Sequence, residues 1–270
     1  MLGKMMKHEW NAVMKVLLPA NLVLVAITII GRIMVSARVF ETDSEIVAVL
    51  AGLSLVIYIL CLMAVSLCAT IFIAFRFYKS VYTDEGYLLH TLPVSTHEIT
   101  LSKTLVGASW TLITSFVVML SVFVLVTGCL APGSWGEIVR ECSHLISVYV
   151  GPRFTAWVVF FVFLMIVSCF YSVLWLFAGI SFGQLLPKHK VLGAFIGFGI
   201  IYFAMQIFSF ISMFATGTMK KAYEMIDGST DAVISYMESV YLQSFVLCAI
   251  FTVLFYFFTN YMMKKKLNLD

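Results

Sequence analysis

The sequence predicts an all-α membrane protein, six transmembrane helices preceded by an amphipathic interfacial helix. Three observations predict it. Of the 270 residues, 62% are hydrophobic and 11% charged, whereas a soluble domain carries about 25% charged residues. Apolar stretches long enough to cross roughly 30 Å of hydrocarbon, on the order of 20 residues each, fall at about residues 17–37, 46–75, 105–130, 156–182, 191–215 and 241–263. The lysines and arginines between them are unevenly shared, eleven on the side of the N-terminus against six on the other. That bias predicts a multi-pass chain with both termini in the cytoplasm.

Residues 1–16 read as one unit and residues 17–270 as the six-span domain. Met6, Trp10, Val13, Met14 and Leu17 recur at helical spacing, with Lys4, Lys7, His8, Asn11 and Lys15 on the other face. Such a helix suits the membrane interface. Lys4 and Lys7 would lie among anionic headgroups and Trp10 at the boundary, with Pro19 at the bend into the bilayer. The alternative is a straight extension of the first span into the cytoplasm. The segment is longer than the charged leader of a cleaved signal peptide, so it is expected to stay on the chain.

The longest inner segment, residues 76–105, carries ordered local signals. Tyr82, Leu88 and Leu89 suit the apolar side of a short helix opened by Thr83 or Asp84, and Pro93 would stop it by disfavouring the α region at Leu92. Ser95 to Glu98 then reads as a capping box, so the third span begins well before residue 105. The plain alternative is a helical hairpin that only joins two spans. The inner connection at residues 183–190 is short and contains Pro187. The outer segments 131–155 and 216–240 each have room for a short helix. Lys220, Lys221, Glu224, Asp227 and Asp231 keep the second near the surface. Acidic residues number five inside and nine outside, so the inner face carries about +6 and the outer about −3.

The net charge of +3 shows no basic stripe for nucleic acid. The six cysteines lack zinc spacing; Cys129 and Cys142 are placed to meet in one outer segment. No GxxxxGK[ST] phosphate loop, HExxH motif or pair of intramembrane carboxylates occurs. The chain is therefore expected not to be an enzyme and to hold no metal or cofactor itself. Arg32, near the outer end of the first span, reads as an interface anchor or, alternatively, a substrate contact. Polar residues within the spans, such as Tyr58, Ser66, Thr70, Ser109, Thr111, Ser168 and Tyr171, are expected to hydrogen-bond between helices.

One stretch, FYKSVYTDEGYLLHTLPVS at residues 77–95, is similar to the Asp-Glu-Gly-Tyr-Leu and Thr-Leu-Pro found between spans two and three in permease subunits of bacterial ABC exporters, the six-span type-two family. The span count and the helix ahead of span one also resemble that family. The resemblance implies a cytoplasmic coupling helix that docks on a separate ATP-binding subunit through Asp84, Glu85, Gly86, Tyr87, Leu88, Leu89, Thr91, Leu92 and Pro93. It implies that ATP and Mg sit on that partner, that a second permease subunit completes a homo- or heterodimer, and that the complex lies in a bacterial plasma membrane. The expected cargo is an amphipathic peptide, drug or lipid. Acidic side chains steering to a basic rim, with Tyr87 and Leu88 as central anchor, suit such docking physically. The charged segment 216–240 departs from the short apolar helices of many relatives. The rival expectation is a non-transporting scaffold or sensor subunit, which would need no ATPase.

Overall fold

Hydrocarbon offers the backbone no hydrogen-bond partner, so an apolar run of spanning length satisfies its own N–H and C=O groups by coiling into a helix. The computed structural model describes residues 2–36, 45–83, 85–86, 94–129, 134–147, 151, 154–185, 190–226 and 230–265. Among the described residues the chain is all-helical, with eight helices: α1 (Leu2–Ser36), α2 (Glu45–Tyr82), α3 (Thr96–Cys129), α4 (Ser134–Leu145), α5 (Phe154–Gly183), α6 (Lys190–Ala215), α7 (Thr218–Ile226) and α8 (Thr230–Lys265). Six of them, all but α4 and α7, are long and apolar enough to cross a membrane. The chain is a multi-pass α-helical membrane protein in form.

Contact partners fix the helix directions. Glu9–Lys103, Asn21–Thr114 and Thr28–Ser121 keep a sequence offset of 93 or 94, so α1 and α3 run parallel and in register. Trp157–Tyr241, Phe160–Phe245 and Tyr171–Phe255 likewise make α5 parallel to α8. α2 runs antiparallel to α1 and α3, pairing Ser80 with Lys103 and Tyr58 with Ser121. α6 lies at the periphery, mainly against α5.

Several helices run past the apolar stretches that announce them. α2 has 38 residues, about 57 Å at the helical rise, nearly twice the hydrocarbon thickness. α3 begins at Thr96, behind the expected capping box: Glu98 N–H donates to Ser95 Oγ at 3.3 Å and Ser95 N–H donates to Glu98 Oε2 at 3.1 Å. α1 continues unbroken through Pro19, where the sequence suggests a bend. One buried stripe, Glu9, Val13, Leu17, Asn21, Leu24 and Thr28, passes straight along it. The apolar side of residues 2–17 finds its partner inside the protein, and the first span gains a protein-packed extension.

Tyr82 differs from expectation too. It closes α2 in the core, 3% exposed, and its hydroxyl donates to Ser181 Oγ at 2.8 Å, so it is not part of a loop helix. Segments 131–155 and 216–240 do hold α4 and α7, but α8 starts at Thr230 and takes over nearly the last half of the expected 216–240 segment. Most span hydroxyls, including Ser66, Thr70, Ser109, Thr111 and Ser168, donate to a carbonyl three or four residues back in their own helix. The local acceptor is always within reach and needs no neighbour. Only Tyr58 and Tyr171 among those seven bond across helices.

Candidate functional site

The extensions of α1, α2 and α3 meet at one end of the bundle, over a core in which Phe77 stacks on Phe177 with ring centroids 3.8 Å apart. Ionisable side chains from all three helices are enclosed there. Lys103 Nζ donates to Glu9 Oε1 at 2.5 Å and to Ser80 Oγ at 2.6 Å. Arg76 Nε donates to Glu9 Oε2 at 3.2 Å. The Lys103 side chain is 4% exposed and that of Glu9 11%. Taking such charges out of water costs several kcal/mol per ion. Here each Glu9 oxygen receives a cationic donor, and Lys103 has a hydroxyl as second acceptor, so the enclosed charges are paired and hydrogen-bonded.

The cluster extends to Glu85, just beyond the end of α2. Glu85 pairs with Arg76 Nη1 at 3.7 Å and with Lys79 Nζ at 3.1 Å. Arg76 thus joins Glu9 on α1 to Glu85 beyond the end of α2. Gly86 N–H donates to Thr83 O at 2.7 Å, closing a turn so tight that a Cβ at Gly86 would lie 2.2 Å from Val81 O. Only glycine fits that approach. Asp84, Tyr87, Leu88, Leu89, Thr91, Leu92 and Pro93 lie outside the described residues.

Of the interface residues expected on the N-terminal helix, Lys4 and Lys7 are exposed and Met14 is 37% exposed. Val13 and Leu17 are buried in the main core, Met6 packs on it, and Trp10 lies 5.2 Å from Trp110. Arg32, half-buried, lies against Gly128 of α3, which makes it a packing residue of the α1–α3 seam as well as a charge near the helix end. Cys142 is a free thiol.

The cavity beside the cluster, bounded by Glu9, Arg76, Lys103, Gly107 and Phe177, holds about 20 Å3. That is room for little beyond one water-sized group, so the cluster is suited to tie helices together and not to hold a substrate. Gly179-Ile180-Ser181-Phe182-Gly183 fits the G-x-S-x-G pattern of hydrolases in letters alone. Ser181 sits inside α5, fully buried, with Tyr82 as its partner, whereas the hydrolase nucleophile stands on a strand-to-helix turn. Among the described residues no three His, Cys, Asp or Glu side chains gather in a way that could hold a metal.

Sequence reasoning misses this cluster because Glu9 and Lys103 are 94 positions apart and each resembles an ordinary solvated charge. A signal did exist along the same seam. Asn21 and Thr28 on α1, and Thr114 and Ser121 on α3, are each seven residues apart, a heptad of small polar side chains in apolar helices. Asn21 Nδ2 donates to Thr114 Oγ1 at 3.2 Å, and Ser121 Oγ lies 2.6 Å from both Thr28 and Tyr58 hydroxyls. No protein-family model, curated protein or solved structure matches this chain.

Proposed function

We propose that the chain is the permease subunit of an ABC-type exporter in a bacterial plasma membrane, with both termini in the cytoplasm. It works with a separate ATP-binding subunit, which carries ATP and Mg, and with a second permease subunit. The cargo is an amphipathic peptide, drug or lipid moved outward by alternating access. The observation that carries this reading is the junction after α2. The Asp-Glu-Gly-Tyr-Leu run begins two residues beyond Tyr82, and its Glu85 shares Arg76 with the buried Glu9.

That geometry supplies a mechanical route. A push on residues 84–93 by a docked ATPase reaches Arg76 through Glu85, then α1 through Glu9 and α3 through Lys103. Close-packed interiors transmit strain and do not absorb it, so the joined ends of α1, α2 and α3 move as one body. The missing phosphate loop agrees with this division of labour, since the chain leaves hydrolysis to its partner.

The test is purification of the tagged chain in mild detergent from its native membrane. It is expected to bring down an ATP-binding protein whose turnover is sensitive to orthovanadate. Leu88→Asp, or charge reversal at Asp84 and Glu85, should abolish that turnover and leave membrane insertion intact. A chain that purifies alone without turnover, or variants with unchanged transport and co-purification, would overturn the reading in favour of a non-transporting scaffold or sensor subunit.

A further inference from the structure

At the end of the bundle opposite the ion cluster, α4 lies in the chain between the end of α3 and the start of α5. Trp135, Ile138, Val139, Cys142 and Leu145 follow one another at helical spacing, and at 3.6 residues per turn they share a stripe about 120° wide. Glu137, Arg140, Glu141 and His144 take the opposite side. The protein does not fill the stripe. Every residue from Gly136 to His144 is exposed except the half-buried Ile138, and Val139 is 59% exposed. A helix of 12 residues is marginal in water by itself, so the apolar side of α4 calls for a surface to lie on. α7, the other short helix at this end, already has one: Thr218 bonds Gln243 of α8 and Lys221 bonds Ser239.

Position, size and charge decide what that surface is. From Cys129, the last residue of α3, to Ser134, the first of α4, the chain reaches at most about 18 Å even when fully extended. α3 and α5 are both long and apolar enough to cross a membrane, so α4 is tethered beside the lipid boundary. A second copy of the chain fits less well, because a stable protein interface takes about 20–30 residues a side and this stripe is one face of a short helix. Basic segments are drawn to anionic headgroups, but α4 carries one arginine, two glutamates and no lysine. Its attraction is apolar burial, which suits zwitterionic lipid. The two amphipathic stretches of the chain thus exchange parts: the lysine-bearing N-terminal helix has its apolar side filled by the core, and the side of α4 is left open.

We propose that α4 is a membrane-interface helix, seated at the boundary of headgroups and acyl chains in zwitterionic lipid, with Ile138, Val139 and Cys142 toward the acyl chains and Glu137, Arg140, Glu141 and His144 toward water. It ties the ends of α3 and α5 to the lipid surface at the end that lacks the ion cluster. The inference rests on the multi-pass form of the chain and requires no ATPase, so its failure would leave the transport reading standing.

The experiment is spin labelling of the full chain in phosphatidylcholine nanodiscs. Cys142, a free and exposed thiol, is kept while the other five cysteines are replaced by alanine. The same chain with Cys142→Ala then receives Val139→Cys, Arg140→Cys or Glu141→Cys in turn. Power saturation compares collision with oxygen, which concentrates among acyl chains, and with a neutral nickel chelate, which stays in water. The oxygen-to-nickel ratio is expected to be several-fold higher at Val139→Cys and Cys142 than at Arg140→Cys and Glu141→Cys, and to stay the same when phosphatidylglycerol is mixed into the lipid. Variants are compared as monodisperse species after gel filtration. Should the cysteine-poor chain be lost in purification, Val139→p-benzoylphenylalanine and Glu141→p-benzoylphenylalanine in the otherwise native chain decide the matter by mass spectrometry, with lipid adducts expected from the first and not the second. Equal ratios at the four labelled sites, shielding of Val139→Cys and Cys142 from both reagents, a ratio raised by phosphatidylglycerol, or protein adducts in place of lipid adducts at residue 139 would overturn the proposal.

Discussion

At the end that holds Glu9, Arg76 and Lys103, five helices converge on a core in which Phe77, Val81, Ile99 and Phe177 are at most 1% exposed. At the opposite end Ile33, Phe123, Val159 and Leu242 are each more than half exposed. The difference follows from what drives packing at each place. Where α1, α2 and α3 run beyond hydrocarbon length, apolar side chains leave water when they meet, and burial is strongly favourable. Within hydrocarbon, lipid tails are as apolar as leucine, so helices meet only through close packing and interhelical hydrogen bonds. One end is therefore a stiff clamp, and the other is a surface that lipid or another molecule covers.

The comparison is broken or sharpened by substitutions, beginning with the largest effect. Glu9→Leu leaves Lys103 enclosed without its carboxylate and should cost about 3–5 kcal/mol, read as a fall in thermal unfolding temperature in detergent. Adding Lys103→Met should recover most of it; a loss below about 1 kcal/mol for the single variant would mean the clamp does not act as a unit. Phe77→Ala, which empties one half of the stack on Phe177, should cost about 3–5 kcal/mol. Ile33→Ala at the exposed end should stay within about 0.5 kcal/mol, and equal costs would erase the contrast between the ends.

Smaller effects probe the joints. Gly86→Ala forces the turn off Val81 and should cost about 1–3 kcal/mol, with faster protease cleavage after α2 as the local readout. Ser121→Ala removes the hydroxyl shared by Thr28 and Tyr58, and interhelical hydrogen bonds in membranes average about 0.6 kcal/mol with a maximum near 1.7. A small shift in unfolding temperature is expected. A cost approaching that of Glu9→Leu would show that the exposed end is held as firmly as the clamp.

Much of this architecture was legible beforehand, and particular residues show why. The six spans follow from hydropathy because the solvent imposes them locally. The start of α3 was legible because Ser95 and Glu98 satisfy each other within four residues. Tyr82 was misread because its periodicity with Leu88 and Leu89 is local, whereas its hydrogen bond to Ser181 crosses 99 positions. The ion cluster was illegible for the same reason: nothing beside Lys103 in the sequence distinguishes it from the exposed Lys79. Within residues 84–93 the tight turn that Gly86 makes with Val81 and Thr83 was not legible, because the short helix expected there carries no local mark of so close a backbone approach.

What the sequence determined by itself is the class of solvent, the number of apolar helices and the caps and turns that begin or end them, because each depends on residues within a turn or a span's length of one another. Tertiary structure alone decided that α1 runs straight through Pro19, that α1 and α3 lie parallel in register, and that Glu9, Arg76 and Lys103 share one enclosed site. Those outcomes depend on which faces meet, and burial of a charge is stabilised only by a partner that folding brings from a distant part of the chain.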